Sequence, residues 1–262
     1  MAATTIAAVH LVRNGNPDAY LDNFVASYLA NDAGVANDLV VVLKGFDDPT
    51  QIRESIQSKV PGVQFHEIDD SGFDINAYRS AAKALQHDVL CFLNSHAQIR
   101  AAGWLGYLSD GLNATNVGAV SASASWEIMD QSTPFPNVHL RTNGFAMRRD
   151  EFLALDFGPL ATKRDCNRFE AGPNSLTQQI LKRDQDVHMI AASGPVAPEN
   201  WASVSGFRTG DQRELLISDN RSRAYDAASN KKRRRLAKLA WGELAAPAQR
   251  DWFADIGVRL GF

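Results

Sequence analysis

Short, nearly unbroken apolar runs separated by longer amphipathic stretches set the rhythm of the first half of this chain. The runs at 6–12, 39–43 and 89–93 are rich in β-branched and other apolar residues, and 63–68 is a mixed one. A run of that length bounded by polar residues predicts a buried strand. Near-continuous apolarity predicts burial on both faces, as in a parallel sheet between helices. Asp18 can cap a helix over 19–31, where Leu21, Phe24, Val25 and Tyr28 recur at helical spacing. Asp48-Pro49 opens a second helix over 50–58, with proline near its first turn. A third, over 74–85, puts Tyr78, Ala82 and Leu85 on one face. This alternation argues an α/β fold with a mostly parallel sheet flanked by helices.

The pattern continues less regularly. Helices are expected over 103–112, 151–155 and 175–183, and strands over 117–125, 139–147 and 187–192, with a loop over 157–169. After Pro198 it weakens to a short apolar piece at 215–217, the triplet Asp219-Asn220-Arg221, a helix carrying Lys231 to Lys238 and a tail to Phe262. The reading is therefore a main unit over 1–198 and a C-terminal loop and helical appendage over 199–262 packed onto it, not independent domains.

Composition narrows the classes. The 262 residues are 45% hydrophobic and 22% charged, ordinary for a soluble globular protein. A formal net charge of −3 gives no pull toward nucleic acid. Cys91 and Cys166 lack the spacing of a zinc ribbon or a disulfide scaffold and fit a reducing compartment. The N-terminus has no basic segment of the signal-peptide kind, and no apolar stretch is long enough to cross a bilayer. The expected location is the cytoplasm, with the inner membrane surface as an option. Asn113-Ala114-Thr115 fits a glycosylation sequon but in that context reads as a turn. Gly15 stands alone in Arg13-Asn14-Gly15-Asn16-Pro17, so neither a dinucleotide fingerprint nor a phosphate loop is present.

Three stretches carry candidate chemistry. Asn94-Ser95-His96 ends the 89–93 strand, and open α/β sheets bind ligands at the carboxyl ends of their strands. Taken alone it is equally a polar turn. Asp74-x-Asn76-x-x-Arg79 combines a helix start with a nearby guanidinium, either an anion site or an N-cap with a salt bridge. Glu170 precedes the helix expected at 175, as a base or as a capping carboxylate.

In this order, over about residues 6–240, the chain resembles GT-A-type glycosyltransferases, specifically bacterial family-2-like enzymes. The resemblance implies a GT-A-like (Rossmann-like) sheet and an enzyme that moves a sugar from a nucleotide-sugar donor to a glycan or lipid-linked hydroxyl acceptor with inversion. In such enzymes a strand ends in an Asp-x-Asp motif that holds a divalent metal and the donor diphosphate. Here Asn94 stands at the first Asp and His96 at the second. His96 becomes the candidate metal ligand, for Mn or Mg, and a neutral imidazole suits manganese better than magnesium. The implied donor-binding set is Arg13, Lys44, Asp74, Asn76, Arg79, Asn94, Ser95 and Arg221, with Arg208 as an alternative to Arg221 for the leaving diphosphate. Glu170 takes the place of the general base, with Asp165 in reserve. Thr142 and Asn143, beside Gly144, are implied to meet the sugar or the acceptor, and Trp126 to stack on either. A sugar-phosphate nucleotidyltransferase would show a glycine-rich basic N-terminal loop, which 13–17 matches poorly. The loss of both carboxylates at 94 and 96 keeps a non-catalytic GT-A-like nucleotide- or glycan-binding protein as the alternative.

Lys231-Lys232-Arg233-Arg234-Arg235 reads either as a solvated helix face or as a patch for peripheral contact with an anionic membrane. The histidines at 10, 66, 87, 139 and 188 show no pairing at helical spacing.

Overall fold

The computed structural model describes residues 4–244, so the tail toward Phe262 lies outside the described residues. The chain runs β1 (Ile6–Arg13), α1 (Asp18–Ala30), β2 (Asp38–Lys44), α2 (Thr50–Lys59), β3 (Gln64–Ile68), α3 (Asp74–Ala84) and β4 (Val89–Leu93). It continues through β5 (Gln98–Ile99), α4 (Trp104–Asn113), β6 (Val117–Ser121), β7 (Ala124–Ser125), β8 (His139–Leu140), β9 (Gly144–Arg148) and α5 (Arg149–Leu153). Then come α6 (Lys163–Ala171), α7 (Leu176–Leu181), β10 (Asp186–Ala191), β11 (Gly194–Val196), β12 (Ile217–Ser218), α8 (Asn220–Asp226) and α9 (Asn230–Trp241).

Eight strands form one mostly parallel sheet in the order β11-β10-β6-β9-β4-β1-β2-β3. Strand β9 runs antiparallel to both its neighbours, β4 and β6. The apolar strands explain the layering. Alternate residues of β1 point to opposite faces: Ala7, Val9 and Leu11 join one hydrophobic cluster, and Ile6, Ala8 and Val12 the other. The first cluster is covered by α3, α5, α6, α7 and α9, the second by α1, α2 and α4. Burial on both faces is what an all-apolar strand requires.

Two expected strands are shorter than their sequence suggests. The 117–125 stretch breaks after Ser121 and the 139–147 stretch between Leu140 and Gly144. Polar residues cause both breaks. The Ser121 hydroxyl bridges the carbonyls of Arg141 (2.8 Å) and Gly144 (3.0 Å), and Arg141-Thr142-Asn143 leaves the sheet as a turn. The loop expected over 157–169 is helical from Lys163. Thr162 and Asp165 make a reciprocal capping box, and Cys166 and Phe169 bury the inner face.

The segment after Pro198 is woven into the core. Trp201, Phe207 and Trp241 are fully buried in the first cluster. Their polar edges are satisfied too: the Trp201 indole donates to the Val196 carbonyl (2.9 Å) and that of Trp241 to Phe207 (2.7 Å). Burying an aromatic side chain removes roughly 150–250 Å² from water, about 4–6 kcal/mol as an upper figure. Strand β12 pairs with β5, which ties this segment to the residues just beyond β4.

Candidate active site

Strand register gathers the site. β4, β1 and β2 are adjacent and parallel, with His10 beside Leu93 and Arg13 beside Lys44. Their carboxyl ends therefore open on one edge, where Arg13, Lys44 and Asn94-Ser95-His96 emerge. Antiparallel β9 brings its beginning to the same edge, with Leu93 opposite Gly144 and the Asn94 amide donating to the Asn143 carbonyl (3.2 Å). Gly144 packs closely there: a Cβ would sit 3.1 Å from the Ile217 side chain of β12, tighter than an ordinary contact. That close approach lets β12 deliver Asp219, Asn220 and Arg221 to the rim. The result is a cavity of about 340 Å³, whose lining includes Asp74, Asn94, His96, Thr142, Glu170 and Arg221. This lies at the lower end of small-ligand site volumes, roughly 300–1,000 Å³.

Glu170 lies in the last turn of α6, ahead of α7 as the sequence suggests but not in its first turn. A helix C-terminus disfavours a carboxylate, so capping does not account for it. It is held instead from across the cavity: the Thr142 amide donates to its Oε2 at 2.8 Å, and the Thr142 hydroxyl donates to the same oxygen. Burial pushes this carboxyl up. The Arg141 charge, then His139 and the Thr142 hydrogen bonds, outweigh that and leave it below the ordinary glutamate value. Glu170 is thus ionised at neutral pH. Among the described residues nothing donates to its Oε1, which leaves one oxygen free to take a proton.

Arg141, Asp219 and Lys163 were given no site role from the sequence, and all three line the cavity. Arg141 and Asp219 form a buried pair at 2.6 Å, with side chains 6% and 1% exposed. The guanidinium also lies 3.9 Å over the Phe207 ring. Asp219 caps α8, accepting from the Ser222 amide at 2.8 Å. Burial raises its carboxyl, and Arg141 and Ser222 more than reverse this, to about 2. No local signal joins positions 141 and 219. Lys163 had one: Thr162-x-x-Asp165 is a capping box and marks a helix start.

On the strand side the cations are already engaged. Arg13 donates to both carboxylate oxygens of Asp70, at 2.8 and 2.7 Å. Lys44 is buried, and its ammonium donates to Asp70 (3.0 Å), the Ser71 carbonyl (3.0 Å) and the Asp69 carbonyl (3.3 Å). Hydrogen bonds from Arg13 and then Lys44 hold the Asp70 carboxyl far below its ordinary value.

His96 faces Tyr20, with ring centroids 4.6 Å apart, and Arg223 donates to its carbonyl (2.9 Å). Burial, then the Arg223 charge, lowers its pKa, so the ring is neutral at neutral pH. Its Nδ1 is buried without a hydrogen-bond partner among the described residues. The partners a divalent ion needs do not converge on it. The Asn94 side-chain oxygen accepts from the His96 amide (3.0 Å), and both Asp219 oxygens are taken by Arg141 and Ser222. Among the described residues no three His, Cys, Asp or Glu side chains cluster as a metal site would. The donor set therefore does not fit a resident divalent cation of either kind expected.

Five sequence candidates fall outside the cavity lining. Arg79 packs its guanidinium 4.9 Å over the Phe157 ring. Asn76 donates to the Ser71 carbonyl at 3.2 Å. Trp126 is 5% exposed and stands edge-on to Trp241 at 5.4 Å, so it is core and not a stacking platform. Asp165, the reserve base, is spent on the capping box. Arg208, the alternative cation, is buried and paired with Glu127 at 3.2 Å. Arg13, Lys44, Asp74, Asn94, Ser95, His96, Thr142, Asn143, Glu170 and Arg221 do share the one cavity.

No family model and no curated protein matches the sequence. Among solved structures, the chain is similar to a mannosyltransferase from Pyrobaculum calidifontis in complex with GDP-Man and Mn2+ (17% identity, TM-score 0.41, covering 55% of this chain and 44% of that one). It is also similar to glucosyl-3-phosphoglycerate synthase from Mycobacterium tuberculosis, in complex with Mn2+, UDP and glucosyl-3-phosphoglycerate (16%, TM-score 0.43, 63% and 65%). A third is 4-diphosphocytidyl-2C-methyl-D-erythritol synthase from Anaerococcus prevotii (16%, TM-score 0.44, 70% and 87%). The match thus spans less than two thirds of the length of the first two. Likenesses this distant leave the chemistry to be argued from the cavity itself.

Proposed function

We propose that this chain is a nucleotide-sugar-dependent glycosyltransferase of the GT-A type, working by single displacement with Glu170 as general base. The observation that carries the reading is Glu170 itself: an ionised carboxylate with one oxygen free, fixed by Thr142 in a strand-end cavity that also holds cations. The acceptor hydroxyl oxygen attacks the anomeric carbon, and its proton passes to Glu170 Oε1. The bond from that carbon to the donor's diphosphate breaks, and the diphosphate leaves with the bonding pair. Direct displacement inverts the anomeric centre. Thr142 and Asn143, between base and strand edge, are the polar groups placed to orient the reacting sugar. The acceptor in this reading is a glycan or a lipid-linked hydroxyl presented at a membrane surface. No helix among the described residues is long and apolar enough to cross one.

Thermal-shift screening with nucleoside diphosphates and nucleotide sugars finds the donor, since a bound ligand raises the melting temperature by mass action. With that donor, Glu170→Gln keeps the shape and still accepts from Thr142. It is expected to bind nucleotide as wild type does and to lose transfer by about 10²–10⁴-fold, the usual worth of a general base. Transfer at the wild-type rate removes Glu170 from the mechanism. Nucleotide binding without transfer by the wild type, across acceptors, favours the non-catalytic alternative.

A further inference from the structure

We infer that Lys163 and Arg221 form a two-cation clamp that neutralises the donor's diphosphate in place of a divalent ion, an inference resting on the glycosyltransferase reading above. The starting point is the mismatch at the end of β4. A diphosphate leaving group needs positive charge beside it as its bond breaks, and the acidic ligands that would recruit a metal are missing or engaged. Asn94 is neutral and its oxygen accepts from the His96 amide. Asp219 is sealed by Arg141 and Ser222. Asp74 accepts from the Ile75 amide at 3.2 Å and from Lys163.

The cavity instead holds more cationic than acidic side chains: Arg13, Lys44, Arg141, Lys163 and Arg221 against Asp74, Glu170 and Asp219. Three of those cations are committed by short contacts, Arg13 and Lys44 to Asp70 and Arg141 to Asp219. Lys163 and Arg221 are different. The Lys163 ammonium is 3.4 Å from Asp74, and its side chain is 58% exposed. The Arg221 guanidinium is 3.9 Å from Glu127 and 51% exposed. Long, exposed ion pairs are worth little, so an entering anion displaces them at small cost. Lys163 begins the helix whose other end carries Glu170, and Arg221 follows the buried cap that Arg141 anchors. Two helix starts thus hold two exposed, loosely paired charges on the cavity that contains the base. The guanidinium offers paired donors to phosphate oxygens, and the ammonium a point charge.

The test is calorimetric titration of the full chain with UDP, GDP and inorganic pyrophosphate, once with EDTA and once with manganese. The expected result is that one nucleoside diphosphate binds in EDTA with a Kd that manganese changes by less than about threefold. Lys163→Ala and Arg221→Ala each weaken that binding by about 10-fold or more, one charge-assisted hydrogen bond or its equivalent. Their melting temperatures without ligand stay at the wild-type value, and Lys163→Arg restores most of the affinity. Binding that appears only with manganese overturns the clamp and leaves the glycosyltransferase reading standing. Binding in EDTA that both alanine variants retain also overturns it. No binding of any probe in either arm overturns that reading and the clamp with it.

Discussion

The two walls of the cavity both carry cations and hold them differently. On the strand wall, Arg13 and Lys44 converge on one carboxylate, Asp70, which is half-exposed. On the helix wall, Arg141 meets Asp219 out of solvent, while Lys163 and Arg221 are left loosely paired. The strand wall is therefore a fixed frame, two cations tied to one carboxylate. The helix wall splits its charges into one buried anchor and two exposed cations in long ion pairs. In the clamp proposed above, the difference separates the groups that hold the site's shape from those that meet a ligand.

Deleting one carboxylate on each wall tests that contrast, and gives the largest expected effect. Asp219→Ala leaves the Arg141 charge buried without its partner, which costs about 3–5 kcal/mol. The same substitution removes the cap of α8. Asp70→Ala leaves Lys44 its two backbone carbonyls and Arg13 its access to solvent, so the expected loss is about 1 kcal/mol. Urea unfolding of both variants measures the gap. Equal losses would mean that the two walls are not built differently.

The strand wall was legible in the sequence and the helix wall mostly was not. Arg13, Lys44 and Asn94-Ser95-His96 each sit directly after an apolar run, so locating the strand ends locates them. Glu170 was read against the helix expected at 175, and α7 does begin there. Its environment is set by Thr142, 28 positions away in sequence, and not by a helix start. Arg141 and Asp219 are 78 positions apart and meet because β9 runs antiparallel and β12 folds over Gly144. Periodicity carries no such information. Trp126 and Arg79 failed in the opposite direction. Each has a side chain able to meet a ligand, and the tertiary packing spends it on Trp241 and on Phe157.

A smaller effect is expected where the helix wall is tuned, not broken. Thr142→Val removes the hydroxyl donor to Glu170 Oε2 and keeps the backbone one. A hydrogen bond to the ionised form favours it, so its loss raises the Glu170 pKa. The base acts only when deprotonated, and transfer therefore falls as pH drops through that pKa. The acid limb of the pH–rate profile should lie below the ordinary glutamate range in wild type and move to higher pH in the variant. At neutral pH the rate should fall by about tenfold at most, about 1.4 kcal/mol for one lost bond. An acid limb that does not move would detach Thr142 from the base.

The smallest effect concerns the outer edge of the helix wall, where α8 leads into α9. Along the basic run Lys231, Lys232, Arg234 and Arg235 are exposed, whereas Arg233 turns inward and donates to the carbonyls of Tyr225 and Asp226. Near the C-terminal end of α9, Leu239 is exposed; so are Ile128 and Phe135, on the loop whose Glu127 touches Arg221. In the reading proposed above, a membrane bound here would present a lipid-linked acceptor on the side of the loop whose Glu127 meets Arg221. Each outward cation is then worth about 1 kcal/mol on anionic vesicles, so Arg234→Ala should reduce partitioning about fivefold, and added salt should reduce it further. Arg233→Ala should leave partitioning unchanged and lower the melting temperature, because its contacts are internal. If Arg234→Ala partitions as wild type does, α9 is a solvated face, and the membrane-bound acceptor loses its support while Glu170 and the clamp keep theirs.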